Sequence, residues 1–160
     1  MGVSWHTLPL YIASYMAKPT VVIANDHAGV VLKRALVPVI EKAGFVVADL
    51  GSHDSSIKSD YPAQGTAVAQ KIAAGEATFG IAICGSGIGI SIAANRHAGV
   101  RAALCHSGLA AQLARAHNNA NVLALGARLI GEEEAKECVA RFLTTEFEGG
   151  RHTGRVKQLG

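Results

Sequence analysis

Apolar residues in this chain come in short unbroken runs. Polar or glycine-rich stretches and longer segments with apolar positions every three or four residues lie between them. The runs are Thr20–Ala24 (TVVIA), Phe45–Leu50 (FVVADL), Phe79–Cys84 (FGIAIC), Val100–Cys105 (VRAALC) and Val122–Leu125 (VLAL). Runs this short, rich in Val, Ile and Ala, read as strands covered on both faces, the pattern of a parallel sheet. The intervening segments read as helices: Val30–Lys42 closed by Gly44, Pro62–Ala74 closed by Gly75, Ile88–Arg96, Gly108–His117, and Glu132–Leu143. Acidic residues in the first turn of the last helix suit the positive end of its dipole. Gly51–Asp60 is polar and turn-rich, and reads as a loop. The stretch 146–160 is a Gly- and Arg-rich tail for which the pattern predicts no further helix.

Strand and helix alternate five times. The expected fold is a single-domain α/β architecture: a doubly wound, Rossmann-like open parallel five-stranded sheet with helices on both faces. In such sheets ligands bind beyond the carboxyl ends of the strands. Asp26-His27, the 51–60 loop, Cys84–Gly89 and Cys105–Ser107 all fall there. The domain is expected over residues 19–160. Residues 1–18 are expected to be an extension outside it. Their apolar stretch, LPLYIASYM, has no preceding Lys or Arg, so it lacks the charged start of a signal peptide.

Composition narrows the function. The 160 residues suit one domain with a real core. No apolar run approaches the ~20 residues of a membrane span. A net charge of +3 with seven histidines suits small anionic substrates. It is too mild and too evenly spread for nucleic acid, and aromatic platforms for base stacking are scarce. Three cysteines without CxxC spacing argue against a disulfide framework or a structural zinc site, and for a reducing cytoplasm.

The densest chemistry lies in FGIAICGSGIGIS, residues 79–91. A strand ends in Cys84 and runs directly into Gly85, Gly87 and Gly89, which open a helix. A helix start lowers a thiol's pKa and attracts anions. The turn then reads either as ordinary β–α punctuation or as a set of N–H donors for a developing oxyanion. It is GxGxG rather than GxGxxG, and no acidic residue follows in Val100–Ser107, so a dinucleotide site has weak support. Cys84 reads either as inert packing or as a reactive thiol; Cys138 reads as core. Asp26 is a plain N-cap or a functional carboxylate, with His27 a helix cap or an anion contact. His117, before Asn118, reads as a helix-end histidine or a proton-transfer group. Arg128, Arg151 and Arg155 suit a phosphate, although a solvated basic tail is the commoner fate of such residues.

Taken together, NDHAG at 25–29, SDYP at 59–62, ICGSGIGISIAANRHAGVRAAL at 83–104, ARAHNNANVLALGAR at 114–128 and EGGRHTGR at 148–155 closely resemble the type B ribose-5-phosphate isomerases. Their wider group includes the galactose-6-phosphate isomerase subunits. The resemblance implies an aldose–ketose isomerase that interconverts ribose 5-phosphate and ribulose 5-phosphate through an enediolate, with no metal or organic cofactor. It implies Cys84 as the thiol base. Ser86 and the N–H groups of Gly85–Gly89 would form the anion hole. Asp26 and His117 would serve ring opening and hydroxyl contacts, Asn118 would bind a hydroxyl and Tyr61 would line the pocket. His27, Arg128, Arg151 and Arg155 would hold the phosphate. It also implies a homodimer with sites between subunits, and some members pair further into tetramers. Two departures bear on which sugar is used. Asn119 stands where HNDAN is common, and His106-Ser107-Gly108-Leu109 replaces a segment that often carries Tyr. Related proteins act on other phosphosugars, including erythrulose, allose and galactose phosphates. A non-catalytic phosphosugar sensor is a rival reading, although binding alone does not require Cys84, Asp26 and His117 together.

Overall fold

The computed structural model describes residues 17–160, so the expected N-terminal extension lies almost wholly outside the described residues. Five parallel strands form the sheet: β1 (Thr20–Asn25), β2 (Val46–Asp49), β3 (Phe79–Cys84), β4 (Ala102–Leu104) and β5 (Val122–Gly126). Their order is β2-β1-β3-β5-β4. The helices are α1 (Val30–Lys42), α2 (Tyr61–Ala73), α3 (Ile88–Asn95), α4 (Gly108–Asn118), α5 (Glu132–Thr144) and α6 (Thr153–Leu159). Short 3-10 turns at His27–Gly29 and Gly150–His152 precede α1 and α6.

Three elements depart from the sequence pattern. The tail ends in a helix, α6, which buries no residue and so shows no apolar face to read; Gly149 and Gly150, at positive φ, lead into it. The edge strands are less covered than the pattern suggests. Val46 and Asp49 of β2 are exposed, and β4 shortens to the three residues that pair with β5.

Side chains alternate across the three central strands, as strand geometry requires. Val21, Ile23, Ile81, Ile83, Leu123 and Leu125 face one layer, where they meet Leu36 and Ile40 of α1 and Val139 and Phe142 of α5. Val22, Ala24, Ala82, Cys84, Val122 and Ala124 face the other, against Val68 and Ala69 of α2 and Ile90 and Ala94 of α3. The second face is built from smaller residues, so its helices pack closely. A Cβ on Gly65 would come within 2.8 Å of the Ile90 carbonyl oxygen and 2.9 Å of Ala93 Cβ. Cys84 belongs to this small-residue face.

The chain moves outward from β1 to β2 and then returns to place β3 on the other side of β1. The β1/β3 boundary is therefore the topological switch point, where a crevice opens. Asn25 pairs with Ile83 in register, and the Asp26 N–H donates to the Ile83 carbonyl at 3.2 Å. Asp26 and Cys84 thus emerge side by side at the carboxyl edge.

Arg115 of α4 is buried, and its guanidinium lies 4.7 Å from the centre of the Phe79 ring. It donates to Ala120 O at 2.6 Å, to Asn119 Oδ1 at 2.9 Å and to Thr145 O at 3.3 Å. These bonds hold the turn after α4, where Asn119 takes a left-handed conformation (φ 46°). Burial, and then the Arg101 guanidinium, lower the Arg115 pKa. No carboxylate among the described residues forms an ion pair with it. Arg115→Met would strand acceptors in the interior, and urea unfolding should report a loss of about 2–4 kcal/mol. A loss below about 0.5 kcal/mol, the range of ordinary surface changes, would mean that Arg115 does not anchor this turn.

Candidate active site

The strand-to-helix turn after Cys84 is forced by two glycines. Gly87 has φ 76°, and a Cβ there would sit 2.6 Å from Leu104 Cδ1 and 2.8 Å from the Leu125 carbonyl carbon. Both the dihedral and the space exclude a side chain. A Cβ on Gly89 would come within 2.4 Å of the Tyr61 ring. With no side chain at either position, the turn folds back so that the Gly87 N–H donates to Cys84 Sγ at 3.1 Å. Ser86 Oγ accepts from the Ile88 N–H at 3.2 Å. Two amides of the expected donor set are thus engaged by the thiol and the hydroxyl. They stay at the start of α3, where a developing anion would meet the helix dipole.

A cleft of about 570 Å³ opens over this turn, lined by Asp26, Tyr61, Cys84, Gly85, Ser86, Gly89 and Arg128, with Ile88, Ile92 and Leu129 at its apolar rim. Asp26 is buried and in extended backbone, and its Oδ1 accepts from Ala28 N–H at 2.9 Å. The capping and functional readings of Asp26 are compatible, because a carboxylate has a second oxygen. Arg128 packs over Gly85 and its N–H donates to Gly85 O at 2.9 Å. Tyr61 begins α2 and stands against Gly89.

The other expected residues lie elsewhere in the protomer. His27 faces Ser59, with Nδ1 at 3.3 Å from both the N–H and the carbonyl oxygen of that residue. Asn118 lines a separate cavity of about 400 Å³ with Asn95, Arg101 and Leu159. His117 stacks on His152, ring centres 4.3 Å apart and 12° from parallel. Its Nε2 is 3.8 Å from Glu148 Oε2. Arg151 Nε donates to His152 Nε2 at 3.4 Å. Arg155 lies on α6. The chain therefore carries two separate groups of polar residues: one around Cys84, the other around His117 and Arg151.

Sequence reading missed Glu148 and His152, which join the second group, and Lys33. Lys33 is buried on α1 and donates to Asp49 Oδ1 at 3.1 Å and to Ser52 O at 2.6 Å. Asn25 Nδ2 also donates to Ser52 O, and Ser52 Oγ meets Ser59 Oγ at 2.7 Å. The network pins the 51–60 loop over β1 and sets the Ser59 backbone that holds His27. A lysine on the apolar face of α1 was its one sequence signal.

Comparison with known proteins decides the family. Residues 21–159 match the profile of the Ribose/Galactose Isomerase family. The chain belongs to this family. It is 47% identical to ribose-5-phosphate isomerase B of Escherichia coli K12 over 134 residues, 84% of this chain and 89% of that protein. It is 40% identical to a D-erythrulose-4-phosphate isomerase of Pectobacterium atrosepticum over 141 residues, 88% of this chain and 93% of that one. A ribose-5-phosphate isomerase B structure from Clostridium thermocellum superposes with a TM-score of 0.85 at 45% identity, over 88% of this chain and 95% of that chain. A ribose 5-phosphate isomerase from Thermotoga maritima gives 0.84 at 46%, over 88% and 97%. The five-stranded parallel sheet with helices on both faces is therefore the fold expected from the sequence, with α6 added at the tail. No helix among the described residues is long and apolar enough to cross a membrane.

The cysteines of this isomerase differ in setting. Burial pushes the Cys105 thiol up to about 11. Burial, then the neighbouring Cys105 and acidic side chains, push Cys138 up to about 12. Both stay protonated below those values, and a protonated thiol is a poor nucleophile. Iodoacetamide at pH 8 is expected to label Cys84 first in the folded protein, read by peptide mass spectrometry. Equal labelling of Cys105 or Cys138 would contradict the distinct setting of Cys84.

Proposed function

We propose that the chain is a cytoplasmic aldose–ketose isomerase of phosphorylated sugars, with ribose 5-phosphate and ribulose 5-phosphate as its pair. Its catalytic domain spans residues 19–160. The observation that carries the reading is Cys84 Sγ at the floor of a cleft, with the Gly87 amide, Asp26 and Ser86 around it. Similarity to ribose-5-phosphate isomerases along nearly the whole described chain supports the choice of sugar.

The reaction moves a proton between adjacent sugar carbons. The Cys84 thiolate removes a proton from C2 of the open-chain aldose, and the electrons shift onto the carbonyl oxygen to give an enediolate. The thiol then returns the proton at C1 while the O2 hydroxyl proton passes to O1, which leaves the carbonyl at C2 of the ketose. The carbon acid is weak, so the oxyanion must be stabilised in the same step. Ser86 and the amides at the start of α3 do this, and the loss of one such donor typically costs about 3–4 kcal/mol of barrier. Asp26 and His117 serve ring opening by moving protons on ring and hydroxyl oxygens. Asn118 holds a hydroxyl and Tyr61 walls the cleft. His27, Arg128, Arg151 and Arg155 grip the phosphate, whose binding energy holds C1 and C2 against the sulfur. No metal or organic cofactor takes part.

The two groups of a protomer join across a homodimer in this proposal. The second group faces the Cys84 cleft of the partner subunit, and the apolar rim of Ile88, Ile92 and Leu129, exposed in the single chain, supports burial there. Pairing of dimers into a tetramer would use a different face. A second reading changes only the sugar. The 40% identity to a D-erythrulose-4-phosphate isomerase favours a four-carbon substrate as the alternative, and rates on four-, five- and six-carbon aldose phosphates separate the two.

Cys84→Ala is expected to abolish turnover while retaining substrate binding; near-normal turnover would remove the thiol from the mechanism. Mixing Cys84→Ala with His117→Asn subunits, each inactive alone, should restore about a quarter of wild-type activity, because one site of each mixed dimer is intact. No recovery after verified subunit exchange would place both residues of a working site in one chain. Arg151→Ala and Arg155→Ala should mainly raise KM, and unchanged kinetics with both replaced would reject the phosphate assignment.

A further inference from the structure

The linker between α5 and the last 3-10 turn carries Glu148, and its N–H donates to Ala116 O at 3.0 Å, one residue before His117. This bond brings the carboxylate to the end of α4. The Gly149–Gly150 turn then brings His152 back over His117. Glu148 Oε2 lies 3.8 Å from His117 Nε2 and 3.6 Å from His152 Nε2, and one ligating atom from each residue lies within 4.8 Å of the other two. The two rings are stacked nearly parallel, and both Nε2 atoms lie near the same carboxylate oxygen.

We propose that His117, His152 and Glu148 form a binding site for a borderline divalent transition ion, of which Zn²⁺ is the type, and that its occupancy inhibits the enzyme. Two imidazoles and a carboxylate are the protein ligands of a three-ligand zinc site with an open fourth position. Bonds of about 2.0–2.2 Å to a tetrahedral ion need ligand atoms roughly 3.3–3.5 Å apart, so the two nitrogen–oxygen spacings must close by only a few tenths of an ångström, while the stacked rings must turn out of parallel to bring the ion into both ring planes. The mixed nitrogen and oxygen set does not suit Mg²⁺ or Ca²⁺, which take oxygen.

Two features prepare the site. Arg151 Nε donates to His152 Nε2, so that nitrogen carries a lone pair rather than a proton. His152 is buried beneath the His117 ring, which fixes its orientation. An entering ion must displace the Arg151 contact, which is long and made by an exposed side chain. Glu148 is exposed and can turn toward the ion.

The inhibition rests on the proposed role of His117. A metal on its Nε2 removes that nitrogen from proton transfer and draws Arg151 away from its present position. The binding itself does not rest on that role, and Glu148 has no part in the proposed chemistry.

The test uses the metal-free full-length protein with Co²⁺ as a visible probe and Zn²⁺ as competitor. A single Co²⁺ per protomer should give ligand-field bands, and Zn²⁺ should abolish them. The bands should persist in Cys84→Ala and vanish in both Glu148→Gln and His152→Ala. Zn²⁺ should inhibit turnover reversibly, with activity restored by a chelator. Glu148→Gln should turn over without metal but need roughly tenfold more Zn²⁺ for the same inhibition, at least what an outer partner of a metal ligand is worth. Bands that survive in both Glu148→Gln and His152→Ala would overturn the site, as would bands lost only in Cys84→Ala, which would put the ion on sulfur. Equal Zn²⁺ inhibition of wild type and Glu148→Gln would overturn it too. None of these failures touches isomerase turnover or its loss in Cys84→Ala, so the proposed function stands or falls separately.

Discussion

The site depends on one close approach of backbone to backbone. The turn after Cys84 lies directly on the end of β5: a Cβ on Gly126 would meet Ser86 O at 2.5 Å, and one on Gly87 would meet the Leu125 carbonyl carbon at 2.8 Å. Only chains without side chains at both positions can come this near. The approach lets Ala127 and Arg128 donate N–H groups to the carbonyls of Cys84 and Gly85, both at 2.9 Å. Those bonds tie the turn to the segment that supplies the Arg128 side chain. The thiol, the amides and the guanidinium are thus set by one packed crossing of main chain.

The unequal faces of the sheet serve the same end. Ile and Leu fill one side and supply most of the large buried side chains, at about 1.5–3 kcal/mol for each fully buried one. Ala, Val and Cys84 line the other, where α3 can start close to the sheet. Had both faces carried large residues, α3 would begin farther out and its first amides would lie farther from the sulfur. Stability is concentrated on one side and chemistry on the other.

Most of the fold was legible because it rests on local signals. The β3 run matched residue for residue, and α1 was bounded as expected by Gly29 and Gly44, despite Pro38 within it. Helix α6 was not legible, since it packs no apolar stripe into a core. The site was half legible. Strand ends placed Asp26 and Cys84 at one crevice, because the topology rule for open sheets needs only the order of elements. The meeting of Glu148 with His117 and His152 depends on how a glycine turn folds back across the end of α4, and no periodicity encodes that. Lys33 was equally hidden: its value lies in partners 16 and 19 residues away, on a strand end and a loop.

The small-residue floor also bears on how this scaffold diversifies. Gly85 and Gly89 line the crevice and Gly87 underlies it against the end of β5, and a Cβ on Gly87 or Gly89 would collide with its neighbours. Evolution therefore cannot deepen or narrow the base to suit sugars of different length. What remains adjustable is the rim, set through Tyr61 and Arg128 by connections such as 51–60 and the segment after β5. Divergence from four-carbon to six-carbon chemistry should accordingly be written in those connections, while the base stays fixed.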